Sequence, residues 1–158
     1  MPRRVLAPLL SAALLLAASP VLACRQPEGA ARLAEATLAA INAERSQRGM
    51  AALDPDPRLN AAAQAHACDS AAQNRMSHRG SDGGSVATRA RREGYAYRII
   101  SENVAAGFRN PGSVVEAWMA SGGHRRNILA RSVRDVGIGL ATARDGTVHW
   151  VLNMGSRR

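Results

Sequence analysis

At 158 residues, with 21 arginines, no lysine, 12 acids and a formal charge of +9, the chain is sized for one domain once its N-terminus is set aside. The five aromatic residues are too few, and the arginines too scattered, for the interleaved basic and aromatic patches of a nucleic-acid binder. All-arginine basicity beside abundant Ala and Gly is what a G+C-rich genome imposes, so most of the charge reads as a solvated surface, with attraction to an anionic envelope surface left open.

Met1–Ala23 reads as a secretory signal. Arg3 and Arg4 form the charged start, Val5–Ala18 is an apolar run too short to span a bilayer comfortably, and Val21-Leu22-Ala23 is a small-residue cleavage site. Its removal takes away two arginines and no acid, so the charge falls from +9 to +7. The mature domain is then residues 24–158, secreted or periplasmic, with no transmembrane segment. Cys24, its first residue, and Cys68 are an even pair in an oxidising compartment, which predicts a disulfide. The stretch VLAC also resembles a lipobox, in which Cys24 would be acylated and Cys68 would be an odd thiol.

Ala30–Arg48 places Leu33, Thr37, Leu38 and Ile41 on one stripe ahead of Gly49, the pattern of an amphipathic helix with a C-terminal stop. Asp56 as N-cap and Pro57 in the first turn open a second helix, with Leu59, Ala63, His66 and Ser70 along one side. SVATRARREG is a third, shorter helix ending at Gly94. YRII supplies a strand before Ser101. GSVVEAWMAS carries the pattern of a capping box, Ser113 as N-cap and Glu116 three residues on. Late in the chain the period changes to two. Val136–Ala143 and Thr147–Met154 alternate on either side of Asp145-Gly146, a hairpin signal.

Four histidines are available for chemistry. His66 sits in the stripe of the second helix and reads as packed. His149 alternates with Val148 and Trp150 and reads as an outward, idle side chain. His78 and His124 lie in Gly/Ser-rich stretches, MSHRGSDGGS and SGGHRRNIL, which read as loops able to present side chains. The glycines before His124 would let the backbone turn at no steric cost. Arg125, Arg126 and Asn127 fasten the following segment or face solvent. No HExxH, CxxC, GxSxG or phosphate-binding loop is present, and VGIGLA is a strand pattern.

SHRGSDG, SENVAAG, VVEAWMASGGHRRNIL, DVGIGLA and HWVLNMG follow one another in this order. Together they resemble the CAP superfamily, or SCP domain, of cysteine-rich secretory proteins, antigen 5 and pathogenesis-related proteins, in its secreted bacterial branch. The resemblance spans about Leu33 to Gly155 and implies an α+β fold, an α-β-α sandwich with a small antiparallel sheet. It also implies a cleft holding His78, Glu102 and His124. Ser121 stands where many eukaryotic members carry a second acid. Two imidazoles and a carboxylate suit a divalent cation such as zinc, with His78 and His124 as the metal candidates. Members have been linked to lipid or sterol binding, protein partners and cation-dependent effects. The leading expectation is a non-enzymatic binding module. The alternative is a metal-assisted hydrolase or protease in which Glu102 and His124 would be catalytic. A third reading is a structural envelope protein acting through its arginines.

Overall fold

The computed structural model describes residues 24–158, and the signal reading of residues 1–23 lies outside them. Nine elements follow in chain order: α1 Ala30–Ser46, β1 Asp54–Pro55, α2 Pro57–Gln73, α3 Val86–Arg92, β2 Tyr97–Ala106, α4 Pro111–Ala120, α5 Gly122–Ile128, β3 Asp135–Thr142 and β4 Val148–Arg157. The strands form one sheet in the order β1-β3-β4-β2. It is antiparallel except for the two-residue β1, which runs parallel to the start of β3. The sheet is therefore mixed, a small departure from the all-antiparallel expectation.

The hairpin forms as the alternation predicts, with Thr142 paired to Val148 and Gly146 at a φ of 89° closing the turn. Period two sends Val136, Ile138, Leu140, Trp150, Leu152 and Met154 to one face. There they meet Ile41 of α1, Val114, Val115 and Trp118 of α4, and Ile128 of α5. The opposite face takes Ala63, Ala67 and Ala71 of α2 against Val104, Ala141 and Val151. Helices thus cover both faces of the sheet.

That second layer corrects one expectation. His149 is not outward and idle: it is 2 % exposed, on the face that α2 covers, with its Nε2 3.3 Å from Asn74 Oδ1. Alternation with Val148 and Trp150 does put it on the other face, but that face is not solvent. The contact with α2 is unusually close at β3. A Cβ at Gly137 would overlap the backbone of Leu59, and one at Gly139 the backbone of Ala63. The two glycines of DVGIGLA therefore let a helix backbone lie directly on a strand.

Two further readings change. The N-cap of α4 is Asn110, whose Oδ1 accepts from Ser113 N at 2.9 Å, so Ser113 is not the cap and Glu116 is an exposed side chain rather than a capping-box partner. Pro111, with its preset φ, starts the helix two residues before Ser113. His124 is not in a loop. Gly122 and Gly123 are the first residues of α5, with φ on the ordinary negative side, and Ser121 alone, at φ −87° and ψ 119°, makes the corner from α4. One extended residue is enough to turn the chain.

Cys24 and Cys68 form a disulfide, Cα to Cα 5.4 Å, which leaves Cys24 no thiol for an acyl chain. The arm behind it is also held by Thr142 N, which donates to Arg25 O at 2.7 Å. Among the described residues no helix is long and apolar enough to cross a membrane.

Candidate functional site

Glu102 lies on β2, an edge strand of the sheet. Successive side chains on a strand point to opposite faces, so Glu102 and its neighbour Asn103 serve different layers. Glu102 turns toward α2 and α3, and Asn103 toward α5. Around this one edge the fold assembles two sets of contacts.

On the first side, Glu102 is 5 % exposed and both its oxygens are engaged. Arg89 Nη2 of α3 donates to Oε2 at 2.6 Å, and His78 Nδ1, from the loop after α2, donates to Oε1 at 3.0 Å. Asn153, its cross-strand partner, donates to Oε2 at 3.2 Å when its amide nitrogen faces the carboxylate. Arg89 also donates to the carbonyls of Gly84 and His78, so one buried guanidinium holds the loop at His78 and again just before α3. His66 lies beneath, its Nε2 donating to Ser77 O at 2.7 Å and standing 3.9 Å from Glu102 Oε1. Burial is the main reason its pKa falls below the ordinary histidine value, with the charge of Arg89 adding and that of Glu102 opposing. His66 is therefore packed, as its stripe predicts, and it also underlies the carboxylate.

On the second side, Asn103 Nδ2 donates to His124 O at 3.1 Å. Asn127 Nδ2 reaches Asn103 Oδ1 at 2.9 Å and Glu102 O at 3.3 Å. These bonds fasten α5 to β2, and Asn127 is the fastening residue of the RRN run. His124 is half-buried; burial first, and then the charge of His78, lower its pKa. His78 is the open one, its side chain 61 % exposed. Ser121 makes no side-chain cap at the head of α5.

The donor set differs from two imidazoles and a carboxylate. Glu102 already accepts from Arg89 and His78, so it could act on an ion only through His78. Its bond to Nδ1–H leaves the lone pair of Nε2 outward, which is how a carboxylate orients a metal-binding histidine. Among the described residues no group of three or more His, Cys, Asp or Glu is spaced to hold a metal ion. His78 and His124 would supply two protein ligands, below the three or four of typical zinc sites.

Arg89 was not legible as a site residue. Its one signal is spacing, since it stands three residues after Val86 in a helix whose other arginines, Arg91 and Arg92, are exposed.

The profile of the cysteine-rich secretory protein family, CAP, matches residues 38–154. The uncharacterized protein YkwD of Bacillus subtilis (strain 168) is 37 % identical over 98 residues, 62 % of this chain and 38 % of that one. An extracellular protein containing a SCP domain from Bacillus anthracis superposes with a TM-score of 0.73 at 23 % identity, over 80 % of this chain and 41 % of that one. The chain thus spans about two fifths of the length of these two bacterial relatives. NaASP2, solved with Zn2+, superposes with a TM-score of 0.58 at 14 % identity, over 84 % of this chain and 82 % of that one.

Proposed function

Since the chain belongs to the cysteine-rich secretory protein (CAP) family, we propose that it is an exported binding module whose cleft at the edge of β2 engages a ligand or partner through His78 and His124. The observation that carries this reading is the state of Glu102, with one oxygen held by a buried guanidinium and the other by His78. A general base needs a lone pair within reach of the proton it takes. Here the carboxylate is shielded, and the imidazole it orients is what meets solvent. That arrangement suits recognition better than proton transfer.

A divalent cation is an accessory in this reading. His78 Nε2 and His124 would hold it, water would complete its coordination, and it would bridge the cleft to an anionic or carbonyl group of the ligand. The Zn2+ in the NaASP2 structure supports a cation of that kind. Export rests on the signal-like residues 1–23, on the Cys24–Cys68 disulfide and on the extracellular Bacillus anthracis relative.

The competing reading, a metal-assisted hydrolase or protease, is tested by incubating the purified protein with peptide and ester libraries, with and without chelator. The binding module predicts no turnover that a chelator removes. Chelator-sensitive hydrolysis abolished by Glu102→Gln would replace it with the enzyme.

A further inference from the structure

A cavity opens where the arm at Cys24 and Arg25, the last turns of α2 and the end of β3 come together, and none of His78, Glu102 and His124 lines it. Its volume, about 610 Å3, falls inside the range of roughly 300–1,000 Å3 of small-molecule sites. Two fastenings build it. The Cys24–Cys68 bridge ties the arm to α2, and Thr142 N, donating to Arg25 O at 2.7 Å, ties the arm to β3.

The lining divides by chemistry. Ala71, Ala72, Ala143 and the disulfide make an apolar floor. The rim is basic: Arg25 and Arg144, both exposed, come from the two segments that the Arg25–Thr142 bond joins, Arg144 lying two residues beyond Thr142. The ion pairs among the described residues employ Arg48, Arg58, Arg89, Arg92 and Arg157, and Arg25 and Arg144 take part in none of them. Asp69 is the one acid in the lining, and both its oxygens are engaged elsewhere. Oδ1 accepts from Gln73 Nε2 at 3.0 Å and Oδ2 from Ser81 N at 2.8 Å. Two guanidiniums therefore stand uncompensated over an apolar floor.

We propose that this cavity binds a small organic anion with a compact apolar body. The body covers the alanine and disulfide floor and takes it out of water, while the anionic oxygens accept from Arg25 and Arg144. A guanidinium offers paired N–H groups that match a carboxylate or sulfonate. An inorganic anion would leave the floor wet, and an uncharged apolar molecule would leave the arginines without a partner. The proposal does not depend on the cleft function described above.

The test is a titration of 15N-labelled protein with 8-anilinonaphthalene-1-sulfonate at constant ionic strength. Two controls run in parallel: N-phenyl-1-naphthylamine, which has the same rings without the charge, and inorganic sulfate, which has the charge without the rings. The backbone amides of Ala72, Thr142 and Arg144 are followed. Saturable shifts there with the sulfonate are expected, at an affinity about tenfold above either control and about tenfold lower in Arg25→Gln or Arg144→Gln, roughly the worth of one charge-assisted hydrogen bond. Both arginines are exposed, so these variants test binding rather than folding. Cys24→Ser/Cys68→Ser, which unfastens the arm that carries Arg25, should weaken binding at least as much as Arg25→Gln. Arg131→Gln, exposed at the other end of β3, and His78→Ala should titrate like the unaltered protein. No saturable shift at those amides, equal affinity for either control compound, or indifference to the two arginine substitutions would overturn the proposal.

Discussion

Arg89 Nη2 and Glu102 Oε2 stand 2.6 Å apart, with side chains only 6 % and 2 % exposed. This pair joins α3 to the edge strand and holds the loop that carries His78. Removing one partner strands the other charge in the interior, which typically costs about 3–5 kcal/mol. Arg89→Met should therefore lower stability by that order in denaturant unfolding. The double variant Arg89→Met/Glu102→Gln should recover part of the loss, because no full charge is left buried.

Disulfide reduction is the second expectation. The Cys24–Cys68 bridge spans 44 residues, and closing a loop of that size contributes about 2–4 kcal/mol. Cys24→Ser/Cys68→Ser should be less stable by that amount, while its amides in β3 and β4 keep their native shifts except at Thr142, which donates to Arg25 O of the arm. The sheet and its two cores stand without the arm.

The third concerns Gly139. Gly139→Ala drives a methyl group into the backbone of Ala63, where no flexible side chain can yield. Overpacking usually costs about 1–3 kcal/mol, and a backbone neighbour puts this site at the upper end. Thermal unfolding should show the loss, and Gly146→Ala, strained only by its positive φ, should lose less.

The fourth is a pH dependence. Burial is the leading reason that the pKa values of both His66 and His149 lie below the usual 6.5. The unfolded chain then takes up protons on these groups before the folded one does. Stability is full above about 6.5 and falls as pH drops from there toward the lowered folded values. Asp56, Asp82 and Asp145 are held below the ordinary carboxylate value of 3.8, so their losses begin only near that value. Unfolding midpoints between pH 7 and about 5 therefore isolate the histidines, and His66→Gln should flatten the slope.

These expectations separate what local pattern can reveal from what it cannot. The stripe of α1, the Asp56–Pro57 start of α2 and the Asp145-Gly146 hairpin follow from spacing and turn chemistry within a few residues, and each stands as read. His149 was misread because alternation tells which residues share a face but not whether a helix covers it. The start of α4 was misread because two local signals competed and Pro111 outweighed the Ser113–Glu116 pattern. His78 and Glu102 were marked by their ordered motifs, and they do meet at 3.0 Å. Arg89 and Arg45 escaped because a buried arginine looks like any other in a chain with 21 of them. Arg45 is fully buried and donates to the carbonyls of Ala51, Ile128 and Ala130, contacts that exist only after the fold closes.

The most direct test of the proposed cation site is a calorimetric zinc titration of the unaltered protein beside His78→Ala, His124→Ala and Glu102→Gln, with folding checked by amide spectra. If His78 and His124 hold the ion and Glu102 acts through His78, either histidine variant abolishes binding. Glu102→Gln then weakens it about 10- to 100-fold, the usual effect of removing the partner that orients a ligating histidine. Zinc bound equally well by both histidine variants, or not bound by the unaltered protein, would contradict this account of the cation.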